Sequence, residues 1–318
     1  MKVTVVGAGH VGATCAQYIL QENLADVYLL DVVEGLAAGK ALDLAQAAPI
    51  LGRHSRITGG AEYLGAKNSH IVVLTAGKAR QPGMSREDLL TVNGRLVARI
   101  AAEIAQVAPD AIVIVVTNPL DITTYIVQRV LNLPRARCMG MAGILDTARF
   151  RTFVGMQLGC SAVDIQALVL GGHGDSMVPV TSSATVGGVP LTELMTPTQL
   201  TAIIERTRDG GAEIVSLLKT GSAFYAPGAA VAQMIAAIVR NERRLLPVSV
   251  LAQGEYGLQD VFIGLPVVLG SGGVEAVVQM PLSAEEQEGL RRSAATVRAT
   301  VDTWHALAGT DPADWFAF

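Results

Sequence analysis

The stretch Lys2-Val3-Thr4-Val5-Val6-Gly7-Ala8-Gly9-His10-Val11-Gly12, followed about 20 residues later by Asp31, decides the fold. A short apolar run stops at a glycine, and the residues from Val11 to Gln21 then carry helical spacing. Strand, glycine turn and helix in that order open a doubly wound sheet. The small residues Gly7, Ala8, Gly9 and Gly12, with His10 and Val11 among them, let a pyrophosphate approach backbone N–H groups at the positive end of the helix dipole. A GxGxxG motif alone is a weak sign, because glycine turns are common; its place between strand and helix is what gives it weight. Asp31 ends the next apolar run, Val27 to Leu30, where a carboxylate accepts hydrogen bonds from an adenosine ribose and repels a 2'-phosphate. NAD is therefore expected rather than NADP. His10 is expected to face solvent.

The pattern continues outward from this unit. Ile71 to Leu74 and Ala111 to Val116 are further continuous apolar runs, as in strands covered on both faces. Gly35 to Ala47, Arg86 to Val107 and Leu120 to Leu131 have helical spacing, and Pro49, Pro109 and Pro134 each follow one, where a helix stops. The alternation predicts an α/β fold: a Rossmann-type doubly wound parallel sheet over residues 1–142. The second half reads as an α+β substrate domain over residues 143–318. Thr196-Pro197-Thr198-Gln199 and Ser283-Ala284-Glu285-Glu286 are capping boxes, and Gly270-Ser271-Gly272-Gly273 joins a hairpin. No repeat or low-complexity linker separates the halves, so a cleft between them is the expected site.

Composition narrows the function classes. The 318 residues carry a formal net charge of -4 with no basic patch, which argues against nucleic acid as a partner. No apolar run reaches the roughly 20 residues of a membrane helix, so no membrane partner is expected. The N-terminus enters a strand without a small-residue cleavage site, which predicts a cytoplasmic protein. Cys15, Cys138 and Cys160 are odd in number and widely spaced, which suggests buried free thiols and neither disulfides nor a metal site.

Hydride exchange between a hydroxy acid and a nicotinamide needs a proton acceptor, a partner that tunes it, and a cation for the carboxylate. His173, in Gly171-Gly172-His173-Gly174-Asp175-Ser176, is flanked by small residues that leave an imidazole open to a cleft. Asp146 and Arg149 stand three apart, hence on one helical face. A buried Asp146 could hold the His173 ring while Arg149 grips a carboxylate with two parallel bonds. Spacing alone fits equally well a surface ion pair with His173 in an ordinary turn.

Taken together these residues resemble the lactate and malate dehydrogenase family over nearly the whole chain. The motifs run in order: the glycine turn, Asp31, Ala79-Arg80-Gln81-Pro82-Gly83-Met84-Ser85-Arg86, Thr117-Asn118-Pro119-Leu120-Asp121, Leu145-Asp146-Thr147-Ala148-Arg149 and Gly172-His173-Gly174-Asp175. The resemblance implies His173 as proton donor and acceptor, Asp146 as its partner and Arg149 as the anchor for the carboxylate beside the reacting carbon. It implies that Arg86 polarises the carbonyl when the loop from Lys78 to Arg86 closes, and that Asn118 bonds substrate and cofactor across a cis Asn118-Pro119 peptide. Val116, Thr117 and Asn118, with Asn93, are implied to line the nicotinamide side. Arg80 stands where relatives acting on lactate carry a neutral glutamine, and an arginine there pairs with a second carboxylate; a solvated loop arginine is the alternative. Gly172 replaces the glutamate usual in lactate enzymes, and the pattern is most similar to the lactate-dehydrogenase-like branch of malate dehydrogenases. Malate and oxaloacetate are thus the expected substrates and a homodimer or homotetramer the expected assembly. A dehydrogenase for lactate or another monocarboxylic hydroxy acid, and an NAD-binding sensor without catalysis, are the other readings. The ending Trp315-Phe316-Ala317-Phe318 departs from the family's usual polar terminus and reads either as a docked segment or as a frayed tail.

Overall fold

The computed structural model describes residues 1–78 and 84–316. The first half runs β1 (Lys2–Val6), α1 (His10–Gln21), β2 (Asp26–Leu30), α2 (Leu36–Ile50), β3 (Ile57–Gly60), β4 (Ile71–Leu74), α3 (Arg86–Val107), β5 (Ile112–Val115), α4 (Leu120–Leu131) and β6 (Cys138–Gly140). The second half continues with α5 (Gly143–Leu158), β7 (Ile165–Leu170), β8 (Val178–Val186), β9 (Val189–Pro190), α6 (Leu191–Leu194), α7 (Pro197–Leu218) and α8 (Tyr225–Val239). It closes with β10 (Arg244–Gln253), β11 (Gln259–Gly270), β12 (Gly273–Val277) and α9 (Ala284–Ala308).

Among the described residues the main sheet has the order β12-β11-β10-β6-β5-β4-β1-β2-β3. The strands from β6 to β3 pair in parallel, as the helical crossovers between them require. All of these but the edge strand β3 bury apolar residues on both faces: Val3, Val5, Val73 and Ile114 face α1, α2 and α8, while Val72, Leu74, Val113 and Val115 face α3 and α4. The order reverses between β1 and β4, and a doubly wound sheet opens its ligand crevice at the strand ends beside such a reversal. The antiparallel meander β10–β12 extends this sheet, joined to β6 through Ser249 and Gly140, so one core runs across both halves. The remaining strands form a separate sheet, β7-β8-β9.

Close packing rests on small residues at two helix crossings. A Cβ at Gly228 of α8 would press on Thr14 and Cys15 of α1, and one at Gly94 of α3 would strike the Trp304 ring. Helix starts follow local chemistry: Thr196 and Ser283 form the expected capping boxes, and Ser85 with Asp88 forms another at α3. Pro49 does not follow α2 but lies within its last turn, because one missing amide there leaves the earlier turns bonded; the chain leaves the helix only at Leu51 and Gly52. Cys15 and Cys138 are buried, whereas Cys160 is only half-buried. At the other end of the chain Trp315 is fully buried, its ring 5.7 Å from that of Trp304 and its Nε1 donating to the Gly309 carbonyl at 2.9 Å. This part of the terminus is therefore docked on its own chain; Ala317 and Phe318 lie outside the described residues.

Candidate active site

The C-terminal ends of β1, β2, β4 and β5 meet at one edge of the sheet. Gly7 leaves β1 with φ +102°, a conformation that favours glycine, and a Cβ there would also press on the Ala76 backbone. A Cβ at Gly12 would collide with the Gly7 carbonyl oxygen, so this glycine lets α1 start hard against the turn. Gly9, by contrast, faces open space. It caps α1 with no side chain bonded to the helix end and no acidic residue in the first turn, leaving the positive end of the helix available to an anion. Ala8 is buried, Val11 half-buried, and His10 is exposed with its ring stacked on Phe224 at 5.0 Å. Asp31 turns its carboxylate toward the glycine turn: Oδ2 accepts from Ala8 N–H at 2.6 Å and Oδ1 from Val33 N–H at 2.9 Å. A bare helix end beside an oriented carboxylate fits the pyrophosphate and ribose of NAD.

Val116, Thr117 and Asn118 follow β5 into this edge. Thr117 is buried and donates its hydroxyl to the Ala76 carbonyl at 2.7 Å, tying β5 to β4; Asn118 is exposed and precedes a cis peptide to Pro119. Asn93 is buried and its amide is held by backbone. It accepts from Lys78 N–H at 2.8 Å and donates to the carbonyls of Lys78 and Asn118 at 3.0 and 2.7 Å. The structure thus places Asn93 as a clamp on the backbone around the crevice, with its polar atoms already bonded.

The second half brings the other groups. The loop after β7 turns at Gly171 and Gly174, both at positive φ, and presents His173. Nδ1 of His173 lies 2.8 Å from Oδ2 of Asp146 in the first turn of α5, and Arg149 Nη1 donates to Oδ1 of the same carboxylate at 3.2 Å. Asp146 is 1% exposed, so this is no surface ion pair. Among the described residues Arg149 Nε is buried without a hydrogen-bond partner, and Gly210 and Gly211 of α7 leave room beside the guanidinium. A cation with an unmet donor suits a carboxylate ligand. Burial alone lowers the proton affinity of His173. The charge and hydrogen bond of Asp146 more than reverse that, Arg149 opposes them, and the imidazole ends above the ordinary histidine value.

Between the two halves opens a cleft of about 520 Å³, with Arg86 and Asn118 on one side and His173, Asp175 and Thr300 on the other. Asp146 and Arg149 are set off its wall. Arg86 meets Asp175 at 2.6 Å across the mouth, both side chains largely exposed. That pair was not foreseen, although both residues lie in motifs read from the sequence. Arg80 lies outside the described residues.

Comparison with known proteins agrees with this arrangement. The NAD binding domain of lactate/malate dehydrogenase matches residues 1–140, and the alpha/beta C-terminal domain of the same family matches residues 144–308. The malate dehydrogenase of Desulforudis audaxviator is 50% identical over 300 residues, covering 94% of this chain and 97% of that protein. Among solved structures, malate dehydrogenase from Salinibacter ruber is 44% identical with a TM-score of 0.92, covering 96% of this chain and 98% of that one. The lactate dehydrogenase of Cryptosporidium parvum, solved with lactic acid and nicotinamide adenine dinucleotide, is 38% identical with a TM-score of 0.92, covering 95% of this chain and 96% of that one. Likeness at this level, in both domains and in their order, makes the chain a member of the lactate/malate dehydrogenase family.

Proposed function

We propose that this chain catalyses reversible hydride transfer between (S)-malate and NAD, giving oxaloacetate and NADH. The observation that carries the reading is the His173–Asp146–Arg149 cluster, which sets a proton acceptor of raised affinity beside a cation with an unmet donor. In this reading residues 1–142 form the cofactor half and 143–318 the half that supplies the proton and carboxylate groups. Gly7, Ala8, Gly9, His10, Val11 and Gly12 form the pyrophosphate turn, Asp31 holds the ribose, and Val116, Thr117 and Asn118 border the nicotinamide, with Asn93 bracing them. When bound, NAD supplies the acceptor for the hydride of the hydroxyl carbon.

The protein's own groups do the rest. With Nδ1 engaged by Asp146, the Nε2 of His173 takes the hydroxyl proton, and Asp146 balances the imidazolium that forms. Arg149 anchors the carboxylate next to the reacting carbon, and Asn118 bonds the substrate oxygen. Arg86 leaves Asp175 to polarise the carbonyl. Arg80 takes the second carboxylate; a monocarboxylic substrate would leave that charge unpaired in a closed site, a penalty of several kcal/mol on the order seen for buried unpaired ions.

We also assign the chain to the cytoplasm as a homodimer or homotetramer. The free thiols suit a reducing compartment, with burial pushing Cys15 up to about 12, and the exposed apolar side chains of Leu42, Ile50 and Leu51 on and beside α2 suit a covered face. No helix among the described residues is long and apolar enough to cross a membrane.

The test is NADH oxidation with oxaloacetate and with pyruvate, repeated with NADPH. Preference for oxaloacetate with NADH is the expected result; preference for pyruvate overturns the substrate assignment, and no turnover of either favours a sensor. Arg80→Gln is expected to move the preference toward pyruvate, and an unchanged ratio removes Arg80 as selector.

A further inference from the structure

A second buried carboxylate lies under the His173 loop, and the mechanism above leaves it idle. Asp121 stands in the first turn of α4 and is 7% exposed. Its Oδ2 accepts from the His173 backbone N–H at 2.8 Å, and its Oδ1 accepts from Ser249 Oγ of β10 at 2.7 Å. The loop is anchored amide by amide: Gly171 N–H to the Gly264 carbonyl of β11, Gly172 N–H to Ser293 Oγ of α9, and His173 N–H to Asp121. Of these three acceptors only Asp121 can carry charge. Both carboxyl oxygens accept, one from the His173 N–H and one from the Ser249 hydroxyl, and these two donors with the N-terminal end of α4 favour the ionised form against the burial that disfavours it.

We propose that Asp121 is a positioning residue for His173, fixing the histidine through its backbone N–H and favouring the protonated ring by its negative charge, as a second carboxylate beside Asp146. The inference rests on the reading of His173 as proton donor and acceptor. The charged groups facing the histidine are Asp146 and Arg149 from α5 and Asp121 from α4. β10 and α9 contribute the hydroxyls of Ser249 and Ser293, and Asp175 in the histidine's own loop is paired with Arg86. Burial leaves the proton affinity of Asp121 above the ordinary carboxylate value, the bonds from Ser249 and the His173 amide offsetting only part of that rise; when ionised, its charge acts on the imidazole in the same sense as that of Asp146. Asp121 joins the substrate-side loop to the helix that starts one residue after Asn118-Pro119, so one side chain registers the proton acceptor against the cofactor half.

The experiment is an NMR titration of histidine-labelled full-length protein, comparing the parent with Asp121→Asn and identifying the His173 signal by its loss in His173→Asn. The asparagine keeps the shape and one acceptor but removes the charge. His173 is expected to titrate at lower pH in Asp121→Asn than in the parent. In turnover, kcat for oxaloacetate reduction is expected to fall about tenfold or more with KM moved less, and the alkaline limb to shift to lower pH. An unchanged His173 midpoint in folded Asp121→Asn overturns the proposal. Should that variant fail to fold, Ser249→Ala takes its place: the carboxylate then loses one donor and holds its proton more readily, so a smaller shift in the same direction is expected, and none overturns the proposal. The titration needs no turnover, so a parent chain inactive on both oxaloacetate and pyruvate sinks the dehydrogenase reading while the midpoint still decides on Asp121.

Discussion

Nδ1 of His173 stands 2.8 Å from Oδ2 of Asp146, whose side chain is 2% exposed. The bond fixes which ring nitrogen is committed to the protein and which is left for substrate. Asp146→Asn keeps the contact but loses the charge, and kcat is expected to fall by about 10² to 10⁴ while NADH binding changes little. Steady-state kinetics with a fluorescence titration of NADH would separate the two effects; a variant with near-parental kcat would remove Asp146 from the proton chemistry.

The raised proton affinity of His173 sets a direction in pH. Oxaloacetate reduction needs the imidazolium, so it is expected to persist above the ordinary histidine value and to fall as pH rises through the raised one. Malate oxidation needs the neutral ring and should show the opposite limb. Profiles of kcat/KM in both directions test this, and limbs of the same sign in the two directions would contradict it.

Gly210 tests the carboxylate anchor without touching it. A Cβ there would lie 3.1 Å from Arg149 Cδ, tight enough to push the guanidinium. Gly210→Ala is expected to raise KM for oxaloacetate by about tenfold and to leave KM for NADH alone. Equal effects on both, or none, would separate Arg149 from substrate binding.

Asp31 bears on cofactor choice. Because its carboxylate also holds the Ala8 amide, Asp31→Ser is expected to raise KM for NADH and to lower the preference for NADH over NADPH by about tenfold or more. An unaltered ratio of kcat/KM values would take the selection away from this residue.

Much of this was legible in the sequence, and what was not has a physical reason. The spans Ile71–Leu74, Arg86–Val107 and Leu120–Leu131 lie where periodicity put them, because each carries a pattern long or apolar enough to stand out. β3 and β6 escaped notice, since Ile57-Thr58-Gly59-Gly60 and Cys138-Met139-Gly140 are short and rich in glycine, and only their neighbours make them strands. In the site, residue types could be read but partners could not. Arg86 and Asp175 are 89 residues apart, and Asp121 and His173 are 52 apart, distances that no local pattern spans. Asn93, expected to line the nicotinamide side, also bonds through its amide to Lys78 and Asn118, contacts that no local pattern foretells.

Glu286 offers a test of stability. It accepts from Thr181 N–H, Ser182 N–H, Ser182 Oγ and Ser283 N–H, and although burial works the other way, these bonds hold its carboxyl below the usual range. A depressed value means stability that is present at neutral pH and lost as pH falls through it. Glu286→Gln is expected to cost about 1–3 kcal/mol near neutrality, and the gap in Tm from the parent should narrow in acid. A gap that is constant with pH would show that charge plays no part.

The single pairing of Ser249 with Gly140 carries a consequence for how the chain comes off the ribosome. Residues 1–140 contain every parallel strand, yet on their own they end in β6 with one backbone edge unpaired, a template for association with other chains. The strand that covers it, β10, begins at Arg244, so the edge stays open until more than a hundred further residues have been synthesised. Folding of the nascent chain therefore cannot finish half by half; it closes only when a late segment returns to complete an early sheet.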